Sequence, residues 1–141
     1  MKIAVAGVGY VGLVTAVTLA DVGHDVICLD VDKGKLKMLK EGISPIYEYG
    51  LEELMLKNRE RLEFTDDVTK YSEAQVIIIG VGTPEKEDGS ADLSAVFSAA
   101  DSIADNCSDG TVARIFISSS SQTPSSSRRA RRSGTPSTPT E

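Results

Sequence analysis

Apolar residues fall along the first 117 positions in two alternating rhythms. Short apolar runs at Lys2–Ala6, Asp25–Leu29, Leu62–Thr65, 75–80 and 111–117 read as strands. Between them, Val11, Val14, Thr15, Thr18 and Leu19 follow a helical period. So do Leu93, Val96, Phe97, Ala100, Ile103 and Ala104, which gives that helix one apolar face and makes Asp92 its expected N-cap. A shorter helix carries Leu51, Leu54 and Met55, entered from Ser44-Pro45 and the turn glycine Gly50. Strands alternating with helices predict an α/β domain with a parallel sheet. The run Val76-Ile77-Ile78-Ile79, apolar at every position, suits a central strand covered on both faces.

The first strand runs into its helix through Gly7-Val8-Gly9-Tyr10-Val11-Gly12. Glycines at this spacing permit a tight turn, a close backbone approach to phosphates and close helix–strand packing, while the helix N-terminus offers unpaired N–H donors. The second strand ends in Asp30, 18 residues beyond Gly12. An acid there accepts both ribose hydroxyls of an adenosine and repels a 2′-phosphate. The pattern therefore predicts a Rossmann-like doubly wound parallel sheet of five strands that binds NAD. The loop Gly80-Val81-Gly82-Thr83-Pro84 falls at the carboxyl edge of that sheet, where Thr83 either presents a hydroxyl to a cofactor or sits in a simple turn. A solvated loop follows at 85–88, with a turn at Asp88-Gly89.

Length and charge narrow the class. A chain of 141 residues holds one domain at most. The net charge of −6 argues against a nucleic-acid partner, and residues 1–117 alone sum to −9, from 11 basic and 20 acidic side chains. No apolar run is long enough to span a membrane, and the first residues belong to a strand, so a cytoplasmic protein is expected. Cys28 and Cys107 read as reduced thiols, Cys28 as a small core residue. Neither they nor His24 are assigned a catalytic role, and no metal is expected.

Four motifs in order carry a resemblance. Gly7-Val8-Gly9-Tyr10-Val11-Gly12-Leu13, Asp30-Val31-Asp32, Ser44-Pro45-Ile46-Tyr47-Glu48 and Gly82-Thr83-Pro84 resemble the UDP-glucose/GDP-mannose dehydrogenase family over about residues 1–112. Ser44 to Gly50-Leu51, together with Asp88-Gly89-Ser90-Ala91-Asp92-Leu93-Ser94, is most similar to its UDP-glucose-oxidising members, with GDP-mannose enzymes the alternative. Tyr49 departs from the proline usual in the family, which should loosen its loop. The resemblance implies NAD-dependent oxidation of a sugar C6 alcohol to a carboxylate, through an aldehyde held by a cysteine, with UDP-glucuronate as product. It further implies that Gly7, Gly9, Tyr10, Val11 and Gly12 line the pyrophosphate, that Asp30 and Lys35 hold the adenosine ribose, and that Thr83 meets the rest of the cofactor. Without it, Lys35 is one of several lysines on a solvated helix face. Glu48 either faces the cofactor cleft or caps its loop. A full-length parent would be a homo-oligomer acting on a nucleotide sugar.

After Ile117 the pattern stops. The remaining 24 residues hold nine Ser, four Thr, four Arg and three Pro, and such a segment is expected to stay disordered. The family carries here a Lys-Ser-Thr-x-Pro-x-Gly-Thr loop, then a central helix and a substrate domain with catalytic lysine and cysteine. The abrupt change points to an out-of-frame translation at 118–141, against a native tail with phosphorylation sites as the competing reading. On either reading the chain is expected to bind NAD without catalysis, or to serve as a stand-alone NAD-binding module, and to be marginally stable and prone to associate.

Overall fold

The computed structural model describes residues 1–115. The expectations for 118–141 lie outside them. Nine regular elements follow in order: β1 (Lys2–Ala6), α1 (Tyr10–Asp21), β2 (Asp25–Leu29), α2 (Lys33–Lys40), α3 (Leu51–Lys57), β3 (Leu62–Thr65), β4 (Val76–Ile79), α4 (Ser94–Asn106) and β5 (Val112–Ile115). A 3-10 turn at Val68–Glu73 joins β3 to β4.

The strands form one parallel sheet in the order β3-β2-β1-β4-β5, so the chain winds outward from β1 in both directions. In parallel register, Val5 lies between Cys28 and Ile78, and Ala4 between Ile27 and Ile77. Alternate residues therefore feed two apolar layers. One gathers Ile3, Val5, Val26, Cys28 and Ile78 under Leu13, Ala16 and Val17 of α1 and Leu51 and Met55 of α3. The other gathers Ala4, Ala6, Ile27, Leu29, Ile77 and Ile79 with Tyr71, Ala74 and Ile103 of α4. Strands buried on both faces need apolar residues at every position, which explains the unbroken runs. The geometric centre is β1, with β4 beside it.

Two local readings need correction. The cap of α4 is Leu93, not Asp92, and it makes no side-chain cap bond. The Asp92 N–H donates to the Pro84 carbonyl at 2.7 Å, while its Oδ1 accepts the Ser94 N–H two residues on. Its backbone thus closes a small hairpin, in which Glu85 pairs antiparallel with Ala91 around the turn glycine Gly89. The region expected to be an open loop at 85–88 is one arm and the turn of this hairpin. Phe97, counted on the apolar face of α4, is 65% exposed. The stripe is broader than the contact, which Val96 and Ile103 make alone as fully buried residues.

At the amino-terminal edge of the sheet, side chains tie three segments together. Lys2 Nζ contacts Glu73 Oε2 at 2.7 Å, and Lys70 Nζ reaches Glu73 Oε1 at 2.9 Å and Glu63 Oε1 at 3.2 Å. The two ammonium groups hold the Glu73 carboxyl down at about 2. Cys28 is fully enclosed, and burial pushes its thiol well above the usual range.

Candidate cofactor-binding site

The carboxyl edge of the sheet is built by three glycines with different tasks. Gly7 turns the chain out of β1 at a φ of +91°, in the left-handed region that disfavours a side chain. A Cβ on Gly12 would overlap the Gly7 carbonyl oxygen, and one on Gly80 would lie 3.0 Å from the Gly12 Cα, so α1 can approach β1 and β4 only without side chains there. Gly9 differs. It has an ordinary φ of −70°, and a Cβ on it would meet nothing within 4 Å. The fold does not demand a glycine at that position, whereas a ligand lying against the backbone does. Gly9 is also the N-cap of α1, with no side-chain cap and no acid in the first turn, which leaves the first-turn N–H groups facing outward.

Asp30 joins the second strand end to the first. Its Oδ2 accepts the Val8 N–H at 2.9 Å, its Oδ1 accepts the Asp32 N–H at 2.9 Å, and Lys35 Nζ stands 3.3 Å from Oδ2. Only 9% of the side chain is exposed. Burial pushes the carboxyl up, but the N–H donors of Asp32 and Val8 and the Lys35 ammonium together outweigh it and hold the pKa below the usual carboxylate value. Tyr71 lies behind; burial first, and the Asp30 charge second, push its phenol up to about 12. Asp32 then caps α2 by accepting the Lys35 N–H, which brings the lysine back over Asp30.

These groups line one cleft of about 490 Å³. Of the residues expected from the sequence, Gly7, Gly9, Asp30 and Lys35 line it. Tyr10, Val11, Gly12 and Thr83 do not. Tyr10 is turned aside, its Oη donating to Glu48 Oε2 at 2.7 Å, and that contact raises its pKa. Glu48 thus fastens the 44–50 loop to the start of α1 and stays off the cleft wall. Thr83 is the one buried polar residue among those described, at 7% exposure beside the cleft residues Val81 and Gly82.

Sequence reasoning missed Asp66, Val68 and Tyr71, which close the far end of the cleft, and Ala95, Ser98, Ala99 and Ser102, which form its α4 wall. The second set carried a signal, since small residues recur there at three- and four-residue steps.

A parallel sheet with a glycine turn after β1 leading into a helix N-terminus, and an acid at the end of β2, defines a dinucleotide-binding domain. The chain belongs to the UDP-glucose/GDP-mannose dehydrogenase family, whose NAD binding domain matches over residues 1–133. It is 51% identical over 116 residues to a UDP-glucose 6-dehydrogenase of Rhizobium meliloti, covering 79% of this chain and 26% of that protein. A UDP-glucose 6-dehydrogenase of Bacillus subtilis, YwqF, is 49% identical over 115 residues, again 79% and 26%. Among solved structures, a ternary complex of GDP-mannose dehydrogenase from Pseudomonas aeruginosa aligns with a TM-score of 0.71 at 40% identity, over 73% of this chain and 24% of that one. The chain spans about a quarter of the length of these relatives. No helix among the described residues is long and apolar enough to cross a membrane.

Proposed function

We propose that residues 1–117 are the cofactor domain of an NAD-dependent UDP-glucose 6-dehydrogenase, which oxidises the C6 alcohol to the carboxylate of UDP-glucuronate. Relatives named for that reaction, 51% and 49% identical, support UDP-glucose; GDP-mannose is the alternative, since among solved structures a GDP-mannose dehydrogenase at 40% and a UDP-glucose dehydrogenase at 39% stand level. Alcohol to carboxylate is a four-electron oxidation, so it takes two hydride transfers and one water. Bound NAD supplies the hydride acceptor.

The part played by this chain is to bind and orient. The backbone of Gly7 and Gly9, which line the cleft, and the first-turn N–H groups of Tyr10 and Val11 take the pyrophosphate, with Gly12 allowing the close packing that brings them there. Asp30 takes the adenosine ribose hydroxyls and Lys35 steadies it. Thr83, beyond β4, takes the nicotinamide half. The observation that carries this placement is the sheltered Asp30 carboxylate bonded to Val8, next to the open face of Gly9. A nucleotide sugar enters only in a longer, homo-oligomeric, cytoplasmic parent enzyme, as the family resemblance implies. By itself the 141-residue chain binds NAD and does not oxidise UDP-glucose.

Calorimetric titration of the 141-residue chain with NAD and NADP, followed by an NADH absorbance assay with UDP-glucose, tests this. NAD should bind at least about tenfold more tightly than NADP, because a 2′-phosphate meets the Asp30 charge. Equal binding overturns the ribose placement, and NADH formation overturns the statement that the chain is inactive.

A further inference from the structure

The three adjacent strand ends β1, β2 and β3 each present a different polar group at the cleft. After β1 come the N–H groups of the glycine turn, at the end of β2 the Asp30 carboxylate, and directly after β3 the Asp66 carboxylate. The ends are level, since the Asp30 N–H donates to the Thr65 carbonyl at 3.2 Å, and neighbouring strands lie about 4.8 Å apart. Anion donors, a hydroxyl acceptor and a second acceptor thus stand in a row. That row has the order of phosphate, ribose and base in a nucleotide.

The third position sets apolar side chains beside a carboxylate. Val31, 95% exposed, and Val68, 41% exposed, line the cleft together with Asp66, which lies two residues before Val68 in the chain. Apolar side chains next to a hydrogen-bonding group suit a purine, which has apolar faces and a polar edge. Asp66 Oδ2 has Lys33 Nζ at 3.7 Å, a long contact between side chains that are 51% and 85% exposed. Such a loose, solvated pair leaves the carboxylate able to take another donor.

Resting on the assignment of this cleft to NAD, we propose that Asp66 reads the base, accepting a hydrogen bond from the exocyclic amine of adenine while Val31 and Val68 hold the ring. A carboxylate only accepts. It therefore favours a base bearing an amine at that edge and opposes one bearing a carbonyl.

The probe is nicotinamide hypoxanthine dinucleotide, which differs from NAD by a carbonyl in place of that amine and a hydrogen on the adjoining ring nitrogen. Calorimetric titration of the 141-residue chain should show NAD bound at least about tenfold more tightly than the hypoxanthine analogue, the scale of one hydrogen bond to a charged group. Asp66→Asn, whose amide can donate as well as accept, should bring the two within about threefold. Lys33→Ala should keep the preference, because the lysine does not read the base. Loss of the preference in both variants assigns it to the Lys33–Asp66 pair as a loop brace and overturns the proposal. So does an unaltered ratio in Asp66→Asn, or equal binding by the unmodified chain. Binding of neither dinucleotide overturns the cofactor reading and the proposal together, whereas tight NAD binding with an unaltered ratio overturns the proposal alone.

Discussion

The Asp30 carboxylate accepts the backbone N–H of Val8, 22 residues earlier, at 2.9 Å. The acid at the end of β2 thereby fixes the glycine turn after β1, so one side chain shapes the phosphate site and waits beside the ribose site. Asp30→Ala should weaken NAD binding by about 1.5–3 kcal/mol, the worth of a hydrogen-bonded charge, and should also lower thermal stability. Calorimetry and a melting curve on one sample separate the two effects. Unchanged affinity would remove Asp30 from the cofactor site and leave it as a clamp.

Gly9 and Gly12 should separate in the opposite manner. Gly9→Ala places its methyl in open space at a permitted φ, so stability should stay within about 0.5 kcal/mol while NAD affinity falls at least about tenfold. Gly12→Ala drives a methyl into the Gly7 carbonyl and should cost about 1–3 kcal/mol or more of folding stability. Chemical denaturation of both variants, with NAD titration of whichever folds, checks the pair. Equal losses of stability would show that Gly9 serves the fold.

Acid should destabilise the domain through carboxylates already held low. Glu73, at about 2, and Asp30 both have folded pKa values below their unfolded ones. Their contribution is fully present above the unfolded values, about 4 to 4.5, and is lost as pH falls through the folded ones. Melting temperature should therefore hold steady from neutrality to about pH 5 and drop steeply toward pH 2. In Glu73→Gln the drop should be shallower, and an identical profile would take Glu73 out of the account.

The Tyr10–Glu48 hydrogen bond predicts a local effect. Tyr10→Phe removes the hydroxyl that holds the 44–50 loop. Amide exchange across 44–51 should accelerate several-fold while β1 and β4 stay protected. Exchange spreading into β4 would mean that the loop is coupled to the core.

Much of this was legible beforehand, for identifiable reasons. The strands β1 and β2 fall where the apolar runs placed them, because strands buried on both faces tolerate no polar interruption; β3, Leu-Glu-Phe-Thr at the edge of the sheet, shows instead in the alternation of Leu62 and Phe64 with the exposed Glu63. Asp30 was legible from its spacing to the glycines, but its bond to Val8 was not, since it depends on how two strand ends meet. Asp66, Val68 and Tyr71 were invisible for another reason: they sit in and before a 3-10 turn, which has no amphipathic period to betray it. Phe97 shows the limit of periodicity itself, because a helical stripe identifies apolar side chains without saying which of them a neighbour covers.

The ion network of Lys2, Glu63, Lys70 and Glu73 lies at the amino-terminal edge of the sheet, and the cleft lies at the carboxyl edge. One short segment nevertheless belongs to both: in the 3-10 turn Val68–Glu73, Val68 and Tyr71 face the cleft while Lys70 and Glu73 hold the network. A protein engineer who redraws the charges at Lys70 or Glu73 to harden the domain should therefore expect the cofactor cleft to respond, whereas changes at Lys2 reach it only through that turn.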